Sequence, residues 1–165
     1  MQDRSILLVE DNDGEAILMC VALRKNGVTA DVTRAQDGAE ALDILLFADE
    51  NGNALPSVVF LDLNLPKVSG LEVLKHIRSQ DSVRMLPVVV VSSSAREEDV
   101  RNAYRLGANS YVKKPVNFEE FSGAVKQLTS YWLGLNEPVP ESQVHPAARL
   151  QASTSTESST TSIRR

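Results

Sequence analysis

At 165 residues the chain has room for one domain of ordinary size, and 42% hydrophobic against 24% charged residues is the composition of a globular protein. A single cysteine, Cys20, excludes an internal disulfide and any multi-cysteine metal cluster, and fits a reducing compartment. The net charge of -5 argues against nucleic-acid binding, and no apolar stretch reaches the roughly 20 residues of a membrane span; with no signal peptide at the start, a cytoplasmic address is expected.

The first apolar run, residues 6–9, is almost unbroken and reads as a strand buried on both faces. Helical spacing follows over 15–25, with Gly27 placed to end that helix in a left-handed conformation. A weaker strand is expected at 30–34. Asp37 is suited to cap the next helix, 38–48, and the polar segment 49–56 reads as a surface connector. Residues 58–61 form a second continuous apolar run, followed by helical spacing over 70–78. The third such run, 86–91, has Pro87 near its start. Helix 97–106 ends near Gly107, a weaker strand is expected at 110–113, and Asn117 is suited to cap a last helix over 118–133. In that helix Phe118, Phe121, Val125, Leu128 and Trp132 share one face, leaving Tyr131, Leu133 and Leu135 as surplus apolar residues that could form a homodimer patch.

Strand and helix thus alternate five times. That pattern predicts an α/β fold, a doubly wound five-stranded parallel sheet whose order in the short version is 2-1-3-4-5, with ligands at the strand carboxyl ends. The domain is expected over 1–135. Residues 136–165 contain Pro138, Pro140 and Pro146 and a Ser/Thr-rich run at 153–162, the composition of a disordered tail.

Three carboxylates fall at the predicted crevice: Glu10 and Asp11 after the first strand, Asp62 after the third. So many negative charges close together call for a compensating cation, and hard oxygen ligands suit Mg²⁺, with the backbone carbonyl of Asn64 as a fourth ligand. The fourth strand runs into Ser92, whose hydroxyl can face a ligand. The fifth ends in Tyr111-Val112-Lys113-Lys114-Pro115, which brings an ammonium to the same edge and suggests a cis Lys114–Pro115 bond. Strand alternation sends Lys113 away from the site. A nucleophilic carboxylate, best supplied by Asp62, with a metal, a lysine and a hydroxyl can accept a phosphoryl group and hold its charge. His76 and His145 lack metal partners and read as solvated; Cys20 reads as a small hydrophobe.

The sequences V-E-D-N at 9–12, L-D-L-N-L-P-K-V-S-G at 61–70, P-V-V-V-V-S at 87–92 and Y-V-K-K-P at 111–115 resemble the receiver domain of two-component response regulators, over about residues 5–133. The resemblance implies a flavodoxin-like receiver fold with Asp62 as phosphoacceptor, Glu10 and Asp11 as the acidic pair for Mg²⁺, Lys114 as the lysine before proline, and Ser92 and Tyr111 as switch residues. It implies a sensor histidine kinase as partner and a signalling protein that catalyses only its own phosphorylation and dephosphorylation. The connector, the D-L-N-L-P sequence and the long last helix look more narrowly like stand-alone regulators associated with bacterial phytochromes. With only the Ser/Thr-rich tail after the receiver region, output is expected through protein contacts. A phosphohydrolase of the haloacid-dehalogenase type would want an Asp where Asn64 stands, and a flavodoxin would want a phosphate loop where Glu10 to Asp13 stand. A phosphorylation-independent scaffold is the remaining alternative.

Overall fold

Strands whose residues are all apolar satisfy both faces only in the middle of a covered sheet, and that is where the continuous runs lie. The computed structural model describes residues 4–139 except Gly52. It contains β1 (Ser5–Val9), α1 (Asp13–Lys25), β2 (Asp31–Ala35), α2 (Gly38–Glu50), β3 (Val58–Leu61), α3 (Gly70–Ser79), β4 (Val88–Ser92), α4 (Glu97–Arg105), β5 (Ser110–Lys113) and α5 (Phe118–Ser130). All pairings are parallel and the order is β2-β1-β3-β4-β5, as predicted. Every residue of β3 and β4 is buried, whereas β2 and β5 are edge strands with partly exposed residues, which is why their sequences signal more faintly.

Alternation along the strands feeds two cores. Leu7, Val9, Val59, Leu61, Val88 and Val90 pack beneath α2 and α3, while Ile6, Leu8, Val58, Phe60, Val89 and Val91 pack beneath α1 and α5. Local chemistry sets the element ends. Asn12 Oδ1 accepts from the Glu15 N–H at 3.0 Å, so α1 begins two residues before the apolar pattern does. Asp37 and Asn117 cap α2 and α5, and Gly27 and Gly107 adopt φ of 70° and 95° after α1 and α4. β4 starts at Val88 because Leu86 closes a turn onto Val83 O and Pro87 has no N–H to donate.

Two expectations are corrected. The Lys114–Pro115 peptide is trans. The Lys114 N–H donates to Ser92 O at 2.8 Å, extending the β4–β5 ladder, and the intrinsically favoured trans isomer continues from there. The last helix also does not run uniformly to Leu133. After Ser130 the chain enters a five-residue π-helical turn, Tyr131–Leu135, in which the Asn136 N–H donates to Tyr131 O at 2.7 Å. The wider turn rotates residues off the 3.6 period. Leu133, expected as surplus, is therefore only 8% exposed and joins the core under α1 and α5, while Tyr131 and Leu135 stay exposed. The expectation of a disordered tail falls, for residues 140–165, outside the described residues.

Candidate functional site

The carboxyl ends of the central strands bring the site together through the backbone. The Glu10 N–H donates to Ala35 O and the Asp62 N–H to Val9 O, both at 3.0 Å, so the first residue beyond β1 and the first beyond β3 are held side by side. Asp62 is then oriented locally: its Oδ1 accepts from the Leu63 N–H at 2.7 Å and from the Asn64 N–H at 3.4 Å. The loop after β3 turns back tightly at Gly70, where a Cβ would lie 2.1 Å from Asp62 O. Arg34 fastens the loop after β1 by donating to Glu10 O at 3.0 Å and Asp11 O at 3.1 Å, and pairs with Asp13 at 2.8 Å.

One carboxylate oxygen from each of Glu10, Asp11 and Asp62 lies within 4.8 Å of the others. Lys114 faces two of them, donating to Glu10 Oε2 at 2.6 Å and Asp62 Oδ2 at 3.3 Å, and also donates to Glu15. Burial pushes the Glu10 carboxyl above the usual carboxylate range against the pull of Lys114. Burial also opposes the charge on Lys114, but hydrogen bonds to Glu10 and Glu15 and the attraction of Asp62 outweigh it and hold the ammonium protonated above the ordinary lysine range. Three carboxylates converging on one point, two of them buried, fit a hard divalent cation.

Ser92 ends β4 fully buried, and its Oγ accepts from the Ser94 N–H at 3.2 Å. The Tyr111 hydroxyl donates to Ser94 O at 2.8 Å, and the Ser94 hydroxyl donates to Asp99 at 2.5 Å. Ser92 and Tyr111 are thus linked through the backbone of Ser94. A cavity of about 280 Å³ opens beside the carboxylates, with Glu10, Asp62 and Lys114 at its polar end and Leu18, Phe60 and Phe118 along its apolar wall.

Glu10, Asp11, Asp62, Ser92 and Lys114 therefore all lie at the strand ends where the sequence puts them. Asn64 is exposed and tied to Asp62 through its N–H. Tyr111 is half-buried next to Ser94, and Lys113 points outward. Glu15 is the residue the sequence reading misses. Its signal is the spacing from the capping Asn12, which fixes Glu15 in the first turn of α1 over the end of β1.

A carboxylate held by neighbouring N–H groups, opposite an ammonium and beside two further carboxylates, is built to take an electrophile that carries anionic oxygens. A family model described as the response regulator receiver domain matches residues 6–126. The chain belongs to the response regulator receiver domain family. It is 44% identical over 131 residues to the probable methanogenesis regulatory protein FilR2 of Methanothrix harundinacea, covering 79% of this chain and 84% of that protein. The structure resembles that of the phosphorylated cyanobacterial phytochrome response regulator RcpA, with a TM-score of 0.76 and 37% identity over 83% of this chain and 99% of that one. It also resembles the Mn²⁺-bound form of response regulator Rcp1, with a TM-score of 0.75 and 32% identity over the same shares. Receiver domains are signalling modules phosphorylated by histidine kinases, and the acidic cluster here fits the divalent metal such domains bind.

Proposed function

We propose that this receiver accepts a phosphoryl group on Asp62 from the phosphohistidine of a sensor kinase, in a reaction that depends on Mg²⁺, and signals through phosphorylation-dependent protein contacts. The observation that carries this reading is the Asp62 carboxylate, anchored through Oδ1 by the Leu63 N–H at 2.7 Å and faced through Oδ2 by Lys114 at 3.3 Å. An Asp62 oxygen attacks phosphorus; the P–O bond forms as the N–P bond breaks, and the electron pair of that bond returns to the imidazole. Lys114 offsets charge on the transferring oxygens. Bound by Glu10, Asp11, Asp62 and the Asn64 carbonyl, Mg²⁺ would supply further neutralisation of those oxygens. The chain catalyses only its own phosphorylation and dephosphorylation.

Once formed, the aspartyl phosphate draws the Ser92 hydroxyl as a donor, which disturbs the Ser92–Ser94 bond and with it the Tyr111 hydroxyl on Ser94 O. To move such a switch from 1:99 to 99:1, the phosphoryl group has to favour one state by about 5.5 kcal/mol. The similarity to Rcp1 and to the phytochrome response regulator RcpA supports a phytochrome-type kinase as donor. No helix among the described residues is long and apolar enough to cross a membrane, in keeping with a cytoplasmic relay. Self-association through exposed Tyr131 and Leu135 is the proposed output contact, and residues 136–165 are proposed to be dispensable for the chemistry.

Intact-protein mass after incubation with acetyl phosphate tests the reading, with and without Mg²⁺, on the wild type and Asp62→Ala. One phosphoryl adduct that requires both Mg²⁺ and Asp62 is expected. Folded wild type that takes up none under any condition would favour the scaffold alternative.

A further inference from the structure

Lys114 has three N–H donors, and all three are aimed at carboxylates: Glu10, Glu15 and Asp62. The bond to Asp62, at 3.3 Å, is the longest of them. A phosphoryl group on Asp62 therefore meets an ammonium whose donors are already committed, and one of the other two carboxylates has to yield. Glu10 is a costly one to release. Its side chain is 4% exposed and cannot regain water if the bond breaks, whereas the Glu15 side chain is 42% exposed and can. Glu15 is also fixed in place, since its own backbone N–H is held by the capping Asn12 at 3.0 Å, so its carboxylate stays on the Lys114 side of α1.

We infer that Glu15 is a positioning residue that competes with the incoming phosphoryl group for Lys114 and so restrains phosphorylation of Asp62. This rests on the phosphoacceptor reading above. In the unmodified protein Glu15 draws the ammonium toward α1 and away from full engagement of Asp62. When the phosphoryl group arrives, its oxygens take the donor that Glu15 gives up. The exchange keeps three acceptors on Lys114 before and after transfer, with Glu10 as the constant partner.

The test measures the rate of phosphorylation by acetyl phosphate at saturating Mg²⁺ in full-length wild type, Glu15→Gln, Glu15→Asp and Asp81→Asn. Removing the Glu15 charge should speed phosphorylation about two- to fivefold, the factor corresponding to a partly exposed ion pair. Glu15→Asp keeps the charge but is one methylene short of Lys114, so it should also be fast. Asp81→Asn removes an exposed charge that pairs with Arg84 in the turn after α3, away from Lys114, and should react at the wild-type rate. The ¹⁵N resonance of the Lys114 side chain should shift in both Glu15 variants and stay put in Asp81→Asn, a signature that a merely structural role would not give. Equal acceleration in Asp81→Asn would overturn the inference in favour of bulk charge, and wild-type or slower rates in Glu15→Gln would overturn it outright. Absence of any Asp62-dependent adduct in wild type would instead strike the phosphoacceptor reading itself.

Discussion

Asp37 accepts the Glu40 N–H through Oδ1 at 2.9 Å and receives Lys67 on Oδ2 at 2.5 Å, so one side chain caps α2 and ties down the loop that follows β3. Lys67 sits at φ 62°, a left-handed conformation that costs a non-glycine residue about 1–2 kcal/mol. The hydrogen bond from Lys67, then the one from the Glu40 N–H, hold the Asp37 carboxyl below the usual range. A carboxyl lowered in the folded state contributes stability above its unfolded value, about 3.9, and loses it as pH falls through the lower folded value. Asp37→Asn keeps a capping oxygen but loses the charge. Its urea midpoint is expected to lie below that of wild type at pH 6 to 7, with the gap closing below about pH 4. A gap that persists unchanged into acid would show that the charge on Asp37 is not its source. At this scale the sequence announces whatever follows directly from a strand end: Glu10, Asp11, Asp62, Ser92 and Lys114. The spacing from Asn12 places Glu15 in the first turn of α1, but nothing local marks its pairing with Lys114, which lies 99 residues away in the chain.

Arg78, in the last turn of α3, joins two connections that the sequence treats as separate, α3–β4 and α4–β5. Its Nε donates to Gly107 O at 3.0 Å, one terminal nitrogen to Arg84 O and Leu86 O at 2.8 and 2.9 Å, and the other to Asn109 Oδ1 at 2.9 Å. Asn109 Oδ1 also accepts the Val88 N–H at 2.8 Å, so the same fork sets the starts of β4 and β5. Burial lowers the guanidinium pKa but leaves it a cation, whose four hydrogen bonds all end on neutral oxygens. Arg78→Ala strands these acceptors and should cost about 3 kcal/mol in urea denaturation, since charge-assisted bonds contribute about 1.5–3 kcal/mol each and are not additive. Arg78→Lys, with a point charge in place of the fork, should recover part of that loss. A loss below about 1 kcal/mol for the alanine variant would mean that water substitutes for the side chain. Element types were legible because β1, β3 and β4 are continuous apolar runs and the helices keep their spacing. Boundaries were less so: Asn12 extends α1 backward through a side-chain bond, and the π-helical turn after Ser130 breaks the period that buried Leu133 would otherwise contradict.

Across the whole molecule, the order of strands was legible because short doubly wound folds of five strands have a common solution, and that order is what brings Asp62 between Glu10 and Ser92. From there a polar line runs outward: Ser92 to Ser94, then to Tyr111 on β5 and to Asp99 on α4, where Arg96 also pairs with Asp99 at 3.0 Å. On the other side of the sheet α1 and α5 are locked by Asn26, which donates to Ser122 O at 2.9 Å, and by Lys25 with Glu119 at 2.6 Å. We propose that a change at Asp62 passes to the α4–β5 side, where the connection is a few hydrogen bonds, rather than to the α1–α5 pair, which is packed apolar core as well. The proposed self-association lies beyond α5, where the π-helical turn buries Leu133 and turns Tyr131 and Leu135 to solvent. Sedimentation velocity across a concentration series, with and without acetyl phosphate, should show dimer formation in wild type that strengthens on phosphorylation. Tyr131→Ser with Leu135→Ser should stay monomeric while still taking up one phosphoryl group, because neither residue contacts the carboxylate site. A wild type that is monomeric in both states would remove homodimerisation as the output and leave the α4–β5 surface as the place to seek a different partner.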